Sequence, residues 1–171
     1  MPLFRIEKQR VTKVIPKEFG NERELQELID RNLEDMAGIR VIASWFPIPG
    51  GQIDALGIDE RNTPVVIEYK WQQDRGAIIQ GLSYLNWVNQ NRKTFELLVK
   101  DKLGKSTKVT WDSPRLVIIA KDFTPKDLTA INQIKPTVEL KKYSYYGGLI
   151  NIEDLAPAKP AKIGKAAEAP K

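Results

Sequence analysis

The chain has 171 residues, 42% of them hydrophobic and 29% charged, which is enough for one globular domain with a sizeable core. It contains no cysteine and no histidine. Disulfides, thiolate and imidazole metal sites, Ser–His–Asp triads and histidine-based nuclease chemistry are thereby excluded, leaving carboxylates, lysine and hard metal ions for catalysis. No apolar run reaches the length of a membrane span and no signal-peptide core stands at the N-terminus, so a cytoplasmic location is allowed. The net charge of +5 points weakly to nucleic acid, because residues 156–171 hold four lysines against one glutamate and leave only +2 for the rest.

Leu3 to Ile15 alternates apolar and charged residues, predicting an edge strand or hairpin arm. Its Arg5, Lys8, Arg10 and Lys13, with Lys17, could touch phosphates, although a charge-protected solvated edge is the plainer account. Glu18 to Met36 reads as an amphipathic helix with Leu25, Leu28, Ile29, Leu33 and Met36 as its stripe, Asn21 as N-cap and Gly38 as its stop. Glu22 stands three residues before Leu25 and seven before Ile29, on the inward face, where it would point at the sheet. Ile39 to Ile48 reads as the first core strand, stopped by Pro47 and Pro49-Gly50-Gly51.

Gln52–Leu56 and Val65–Trp71 follow as two apolar runs joined by the turn formers Asp59–Pro64, which predicts a hairpin of central strands. Folding it symmetrically about Arg61 puts Asp59 opposite Thr63 and Asp54 opposite Glu68. Lys70 shares the face of Glu68, since side chains alternate along a strand. Opposed residues lie about 4.5–5.5 Å apart at Cβ, so all three charged groups converge in a pocket expected at the sheet's edge. Two carboxylates so placed repel unless a cation sits between them, and their hard oxygens suit Mg²⁺ or Mn²⁺. A slip of one residue would send Asp54 to the other face.

Gln72–Gly76 is a polar loop in which Arg75 could hold a phosphate. Ala77 to about Gln90 predicts a helix with Ile78, Ile79, Leu82, Leu85 and Val88 inward, and with Gln80 and Tyr84 as neighbours four residues apart. Thr94–Leu103 predicts another helix, with a basic run at Lys100, Lys102, Lys105 and Lys108. Leu116–Ala120 predicts a strand, Thr124-Pro125 a capped helix reaching Ile134, Val138–Tyr146 a strand, and Leu149–Leu155 a last short strand. Residues 1–155 form the expected domain, and the alanine-, proline- and lysine-rich residues 156–171 a disordered tail.

Asp54, the Glu68-Tyr69-Lys70 run and Gln80-Gly81-Leu82-Ser83-Tyr84 on the next helix, with Gly51 shortly before the aspartate, resemble the PD-(D/E)xK nuclease signature. The stretch is similar to NucS/EndoMS-like and RecB-type nuclease domains. The proline of the signature is absent, Ile53 taking its place. The resemblance implies an α/β restriction-endonuclease-like core, a mixed central sheet flanked by helices, which the order helix, three strands, helix, strand (αβββαβ) matches. It further implies a Mg²⁺- or Mn²⁺-dependent endonuclease acting on DNA in repair or restriction. Asp54, Glu68, the Tyr69 backbone carbonyl and Glu22 would hold metal, Lys70 and Gln80 would act on the water, and Tyr84 would lie near the DNA backbone. Cutting both strands of a duplex needs two sites and so allows a homodimer. NucS-like enzymes carry a further N-terminal domain that this sequence lacks, so mismatch specificity is not expected of it. Two other readings stand beside this one: a non-cleaving nucleic-acid-binding module, and an interaction protein in which Asp54, Glu68 and Lys70 form a buried ion network.

Overall fold

A computed structural model describes residues 1–72, 76–134 and 137–155. The chain opens with a hairpin, β1 (Leu3–Glu7) and β2 (Arg10–Val14), which forms a two-stranded sheet of its own. Helix α1 (Glu22–Ala37) starts later than the apolar pattern suggests, because Asn21 caps it: the Asn21 side chain accepts the Glu24 N–H at 2.9 Å, and Gly38 closes the helix in the left-handed conformation.

The main sheet is then built from β3 (Arg40–Ile48), β4 (Gly51–Ile58), β5 (Pro64–Lys70), β6 (Arg115–Ala120), β7 (Thr137–Tyr145) and β8 (Ile150–Leu155). Spatial order follows sequence order. The β3–β4–β5 and β7–β8 pairings are antiparallel, while β5–β6–β7 are parallel. Three helices intervene: α2 (Ala77–Gln90), α3 (Arg92–Leu103) and α4 (Pro125–Ile131), the last held by a Thr124–Asp127 capping box and ending three residues before the expected Ile134.

Helix α1 packs Leu25, Ile29 and Leu33 against Ala55, Val65, Ile67 and Tyr69 on one face of the sheet. On the other face α2, α3 and α4 pack Leu85, Val88, Phe95, Val99 and Ile131 against Leu56, Val66, Leu116 and Ile118. Strand β5 is thus covered on both sides and sits third in the sheet, so the expected pocket lies between inner strands rather than at an edge.

Three expectations need correction. Leu28 stands off the buried stripe of α1 and is 40% exposed. Pro47 does not end β3: it pairs with Gln52, which an edge strand permits because its missing N–H faces away from the ladder. Ile79 is 75% exposed, because the inward face of α2 runs through Ile78, Gly81, Leu85 and Val88, one helical position to its side.

The β3–β4 register shifts between Val41 and Ala43. Gly57 lies opposite this bulge, where an added Cβ would come within 2.7 Å of the Arg40 carbonyl oxygen and of Ile39 Cγ2. Since a backbone atom cannot swing aside, Gly57→Ala is expected to destabilise the fold by about 1–3 kcal/mol. Urea unfolding checks this; an unchanged midpoint would contradict it.

Candidate active site

The loop Asp59–Thr63 fixes how β4 meets β5. Asp59 Oδ1 accepts the N–H groups of Arg61 (2.9 Å) and Thr63 (3.0 Å), and the Asp59 N–H donates to the Thr63 carbonyl at 3.0 Å. From that closure the ladder runs Ile58↔Pro64, Gly57↔Val65, Leu56↔Val66, Ala55↔Ile67, so the next pair in register is Asp54 with Glu68. The regular ladder stops there. The Asp54 N–H approaches Glu68 Oε1 (3.5 Å), and Asp54 Oδ2 accepts the Tyr69 N–H (2.8 Å). A carboxylate therefore fills the gap where the two strands part.

Lys70 and Gln80 complete one side. Lys70 Nζ donates to Gln80 Oε1 at 3.4 Å, and Gln80 Nε2 donates to the Tyr84 hydroxyl at 3.0 Å. Tyr84 is only 5% exposed, and an added Cβ at Gly51 would lie 2.7 Å from its hydroxyl. The absence of a side chain at Gly51 thus serves the seating of Tyr84. Glu22 reaches the end of β5, where its Oε2 accepts the Trp71 N–H at 3.3 Å. Its charge acts on Asp54, yet among the described residues no group of three or more carboxylates gathers closely enough to hold a metal. Glu24 instead turns back to cap its own helix through the Gly20 N–H at 2.9 Å. Arg75 lies outside the described residues.

Helix α1 contributes a second layer that the sequence reading passed over. Gln26, 2% exposed, donates to the Asp54 carbonyl at 2.6 Å and to Asp30 Oδ2 at 3.1 Å. Asp30 accepts the Tyr69 hydroxyl and Ser44 Oγ, each at 2.6 Å. Both site strands are thereby tied to one helix, β4 through the Asp54 backbone and β5 through the Tyr69 side chain. The signal was available: Glu22, Gln26 and Asp30 recur every four residues beside Leu25, Ile29 and Leu33, placing polar groups on an inward face.

Burial sets the electrostatics. Glu68 is 1% exposed, and its carboxyl is pushed up to about 8, first by desolvation and then by the Asp54 carboxylate, with Lys70 pulling the other way. The Asp54 carboxyl is also raised by burial, against the Tyr69 N–H and Lys70. Ionised together, the two carboxylates would outnumber the one ammonium in a poorly solvated place, which a cation would offset. Such a donor set fits Mg²⁺ or Mn²⁺, since Mg²⁺ is bound through one or two carboxylates and keeps several waters.

A mixed sheet flanked by helices in this order defines a restriction-endonuclease-like fold. The chain belongs to the endonuclease NucS C-terminal domain family, which matches residues 21–146. A repair endonuclease from Pyrococcus abyssi shares its fold, at a TM-score of 0.50 and 22% identity over 77% of this chain and 50% of that one. An EndoMS–dsDNA complex is similar at a TM-score of 0.49 and 21% identity, over 81% of this chain and 49% of that one. An uncharacterised protein of Haemophilus influenzae is 31% identical over 144 residues, which are 82% of this chain and 48% of the relative. The chain spans about half the length of these relatives. Among its described residues no helix is long and apolar enough to cross a membrane.

The buried pair carries a pH signature. Folded Glu68 keeps its proton up to about pH 8, whereas its ordinary value is 4.5. Its contribution to stability is therefore full below about 4.5 and is lost as pH rises toward 8. In EDTA the protein is expected to weaken across this window, and Glu68→Gln to flatten the decline. Urea unfolding across the window reads the difference; parallel curves for the two proteins would refute it.

Proposed function

We propose that this domain is a metal-dependent endonuclease that hydrolyses DNA phosphodiester bonds. The observation that carries the reading is half-buried Asp54 meeting buried Glu68 beside Lys70, which Gln80 backs. Binding alone does not require two desolvated like charges, which are costly to keep without a cation. The family name and the description of the Pyrococcus relative as a repair endonuclease support DNA cleavage as the activity.

Asp54 and Glu68, with the Tyr69 carbonyl, would hold Mg²⁺ or Mn²⁺. The metal supplies a bound water of lowered pKa and positive charge for the attacked phosphate. Lys70, kept in place by Gln80 Oε1, orients the attacking water and offers its ammonium to the charge that grows on the phosphate oxygens. A lysine suits that position as a compact charge on a stem that Gln80 can steer. Gln80 is steered in turn by the Tyr84 hydroxyl, which makes Tyr84 a positioning residue. Glu22, anchored on the Trp71 N–H, adds negative field at the end of β5 and holds the chain as it leaves the site. A cytoplasmic setting, and a homodimer where both strands of a duplex are cut, belong to the same reading.

Lys70→Ala is expected to slow cleavage by roughly 10²–10⁴-fold with Mg²⁺ or Mn²⁺ present. Incubation of both proteins with duplex, branched and single-stranded DNA measures it. Failure of the wild type to cut any form, with DNA binding untouched by Asp54→Ala, would instead identify a non-cleaving module. Saturating Mg²⁺ or Mn²⁺ should stabilise the wild type by about 2.7 kcal/mol at a hundredfold excess over Kd, and Asp54→Ala should abolish the effect. Thermal unfolding checks this; no shift in the wild type would point to a purely structural ion network.

A further inference from the structure

The β1–β2 hairpin precedes residue 21, where the family match begins. It pairs with no strand of the main sheet, and nearly all of its residues on both faces are exposed. An isolated two-stranded ribbon is marginal in water. This one also leaves Phe4 at 51%, Ile6 at 74% and Val11 at 64% exposure on a single face, since Ile6 pairs with Val11 and Phe4 with Lys13. Such a surface is built to be covered.

Charge selects what covers it. From Leu3 to Val14 the ribbon holds Arg5, Lys8, Arg10 and Lys13 against Glu7 alone. Arg5 stands 3.7 Å from Glu7, and among the described residues Lys8, Arg10 and Lys13 make no ion pair. Lys8 sits at the tip in the left-handed region, at φ 53°, where a side chain other than glycine's is strained. A second copy docking ribbon to ribbon would set these cations against their own kind.

Two clefts open at the ribbon's base. One, of about 340 Å³, is lined by Arg5, Lys13, Lys17 and Tyr146. A second cleft of about 410 Å³ shares Lys17 and continues past Lys121, Lys142 and Tyr145 to Trp71, the residue after Lys70. Lys121 and Lys142 are paired with Glu18 and Asp122, whereas Lys17 makes no ion pair among the described residues. The antiparallel bridge from Lys17 to Tyr145, with a 2.7 Å hydrogen bond, fixes this junction to β7.

We infer that the β1–β2 ribbon and the lysine-lined clefts at its base form a second DNA-binding surface, gripping the duplex that flanks the bond cut at Asp54 and Glu68. The inference rests on the nuclease reading and names the part of the substrate that this reading leaves undefined. A two-stranded ribbon fits the major groove, and Lys8, Arg10 and Lys13 would neutralise phosphates at its walls.

The test is fluorescence anisotropy of a labelled duplex of about 30 base pairs in EDTA, across a salt series, with the full chain. Lys8→Gly/Arg10→Ser/Lys13→Ser should weaken binding at least about tenfold at moderate salt and lower the slope of log K against log salt by about 2–3, near 0.9 per lost phosphate contact. Glycine suits the conformation at position 8, so the ribbon should persist, and circular dichroism and the melting temperature should be unchanged. Arg10→Lys/Lys13→Arg should bind as the wild type does. An unchanged slope in the triple variant while the wild type still cuts DNA would overturn this inference and leave the nuclease reading standing. Loss of a wild-type dimer in the triple variant, with DNA affinity unaltered, would make the ribbon a self-association surface and equally overturn it. A wild type that cuts no DNA would remove the underlying reading.

Discussion

A buried carboxyl and a half-buried one, Glu68 and Asp54, facing each other where β4 and β5 part, set the terms for the rest of the domain. Asp54 and Glu68 are held there by a register that the Asp59 side chain closes five residues away. Neither acid is comfortable when ionised: burial raises both, and the charge on Asp54 raises Glu68 further. Their neighbours are arranged to offset this, with Lys70 on the same face and the Tyr69 N–H donating directly to Asp54. A divalent cation between the two acids would favour the ionised form of both, so the instability of the bare ionised pair and the proposed chemistry have the same origin.

Keeping such a pair in place requires stiffness behind it. Helix α1 supplies this through Gln26 on the Asp54 carbonyl and Asp30 on the Tyr69 hydroxyl and Ser44. Strand β3 bends to meet the helix: Trp45 adopts φ 49°, Ser44 and Trp45 both reach α1, and Phe46 turns to Trp87 of α2. A regular strand would alternate these three. Backbone in this region costs of order 1–3 kcal/mol for a residue other than glycine. The strain lies one strand away from Asp54, in the layer that sets the backbone of the site.

The central hairpin was legible because its turn is symmetric and short, and the observed ladder to Ala55 and Ile67 keeps the register that sets Asp54 opposite Glu68. Helix α2 and the Asn21 and Thr124 caps were legible for similarly local reasons. What escaped depended on tertiary context. Pro47 reads as a strand breaker unless β3 is known to be an edge, and Ile79 reads as core unless the sheet is in place to choose a face of α2. Gly51 looked like turn chemistry, and only the packed structure brings the Tyr84 hydroxyl to it. Gln26 and Asp30 hid within an apolar stripe whose periodicity drew attention to its leucines. Arg75 and the expected tail at 156–171 fall outside the described residues.

The central claim concerns the charge state of one side chain and is best tested there. Carbon-13 NMR of the Glu68 carboxyl, assigned through Glu68→Gln, would follow its titration with and without Mg²⁺. The account predicts a midpoint near 8 in the metal-free protein and an ionised carboxylate throughout the neutral range once Mg²⁺ is added. A midpoint at the ordinary 4.5, or a titration that Mg²⁺ leaves where it was, would contradict it.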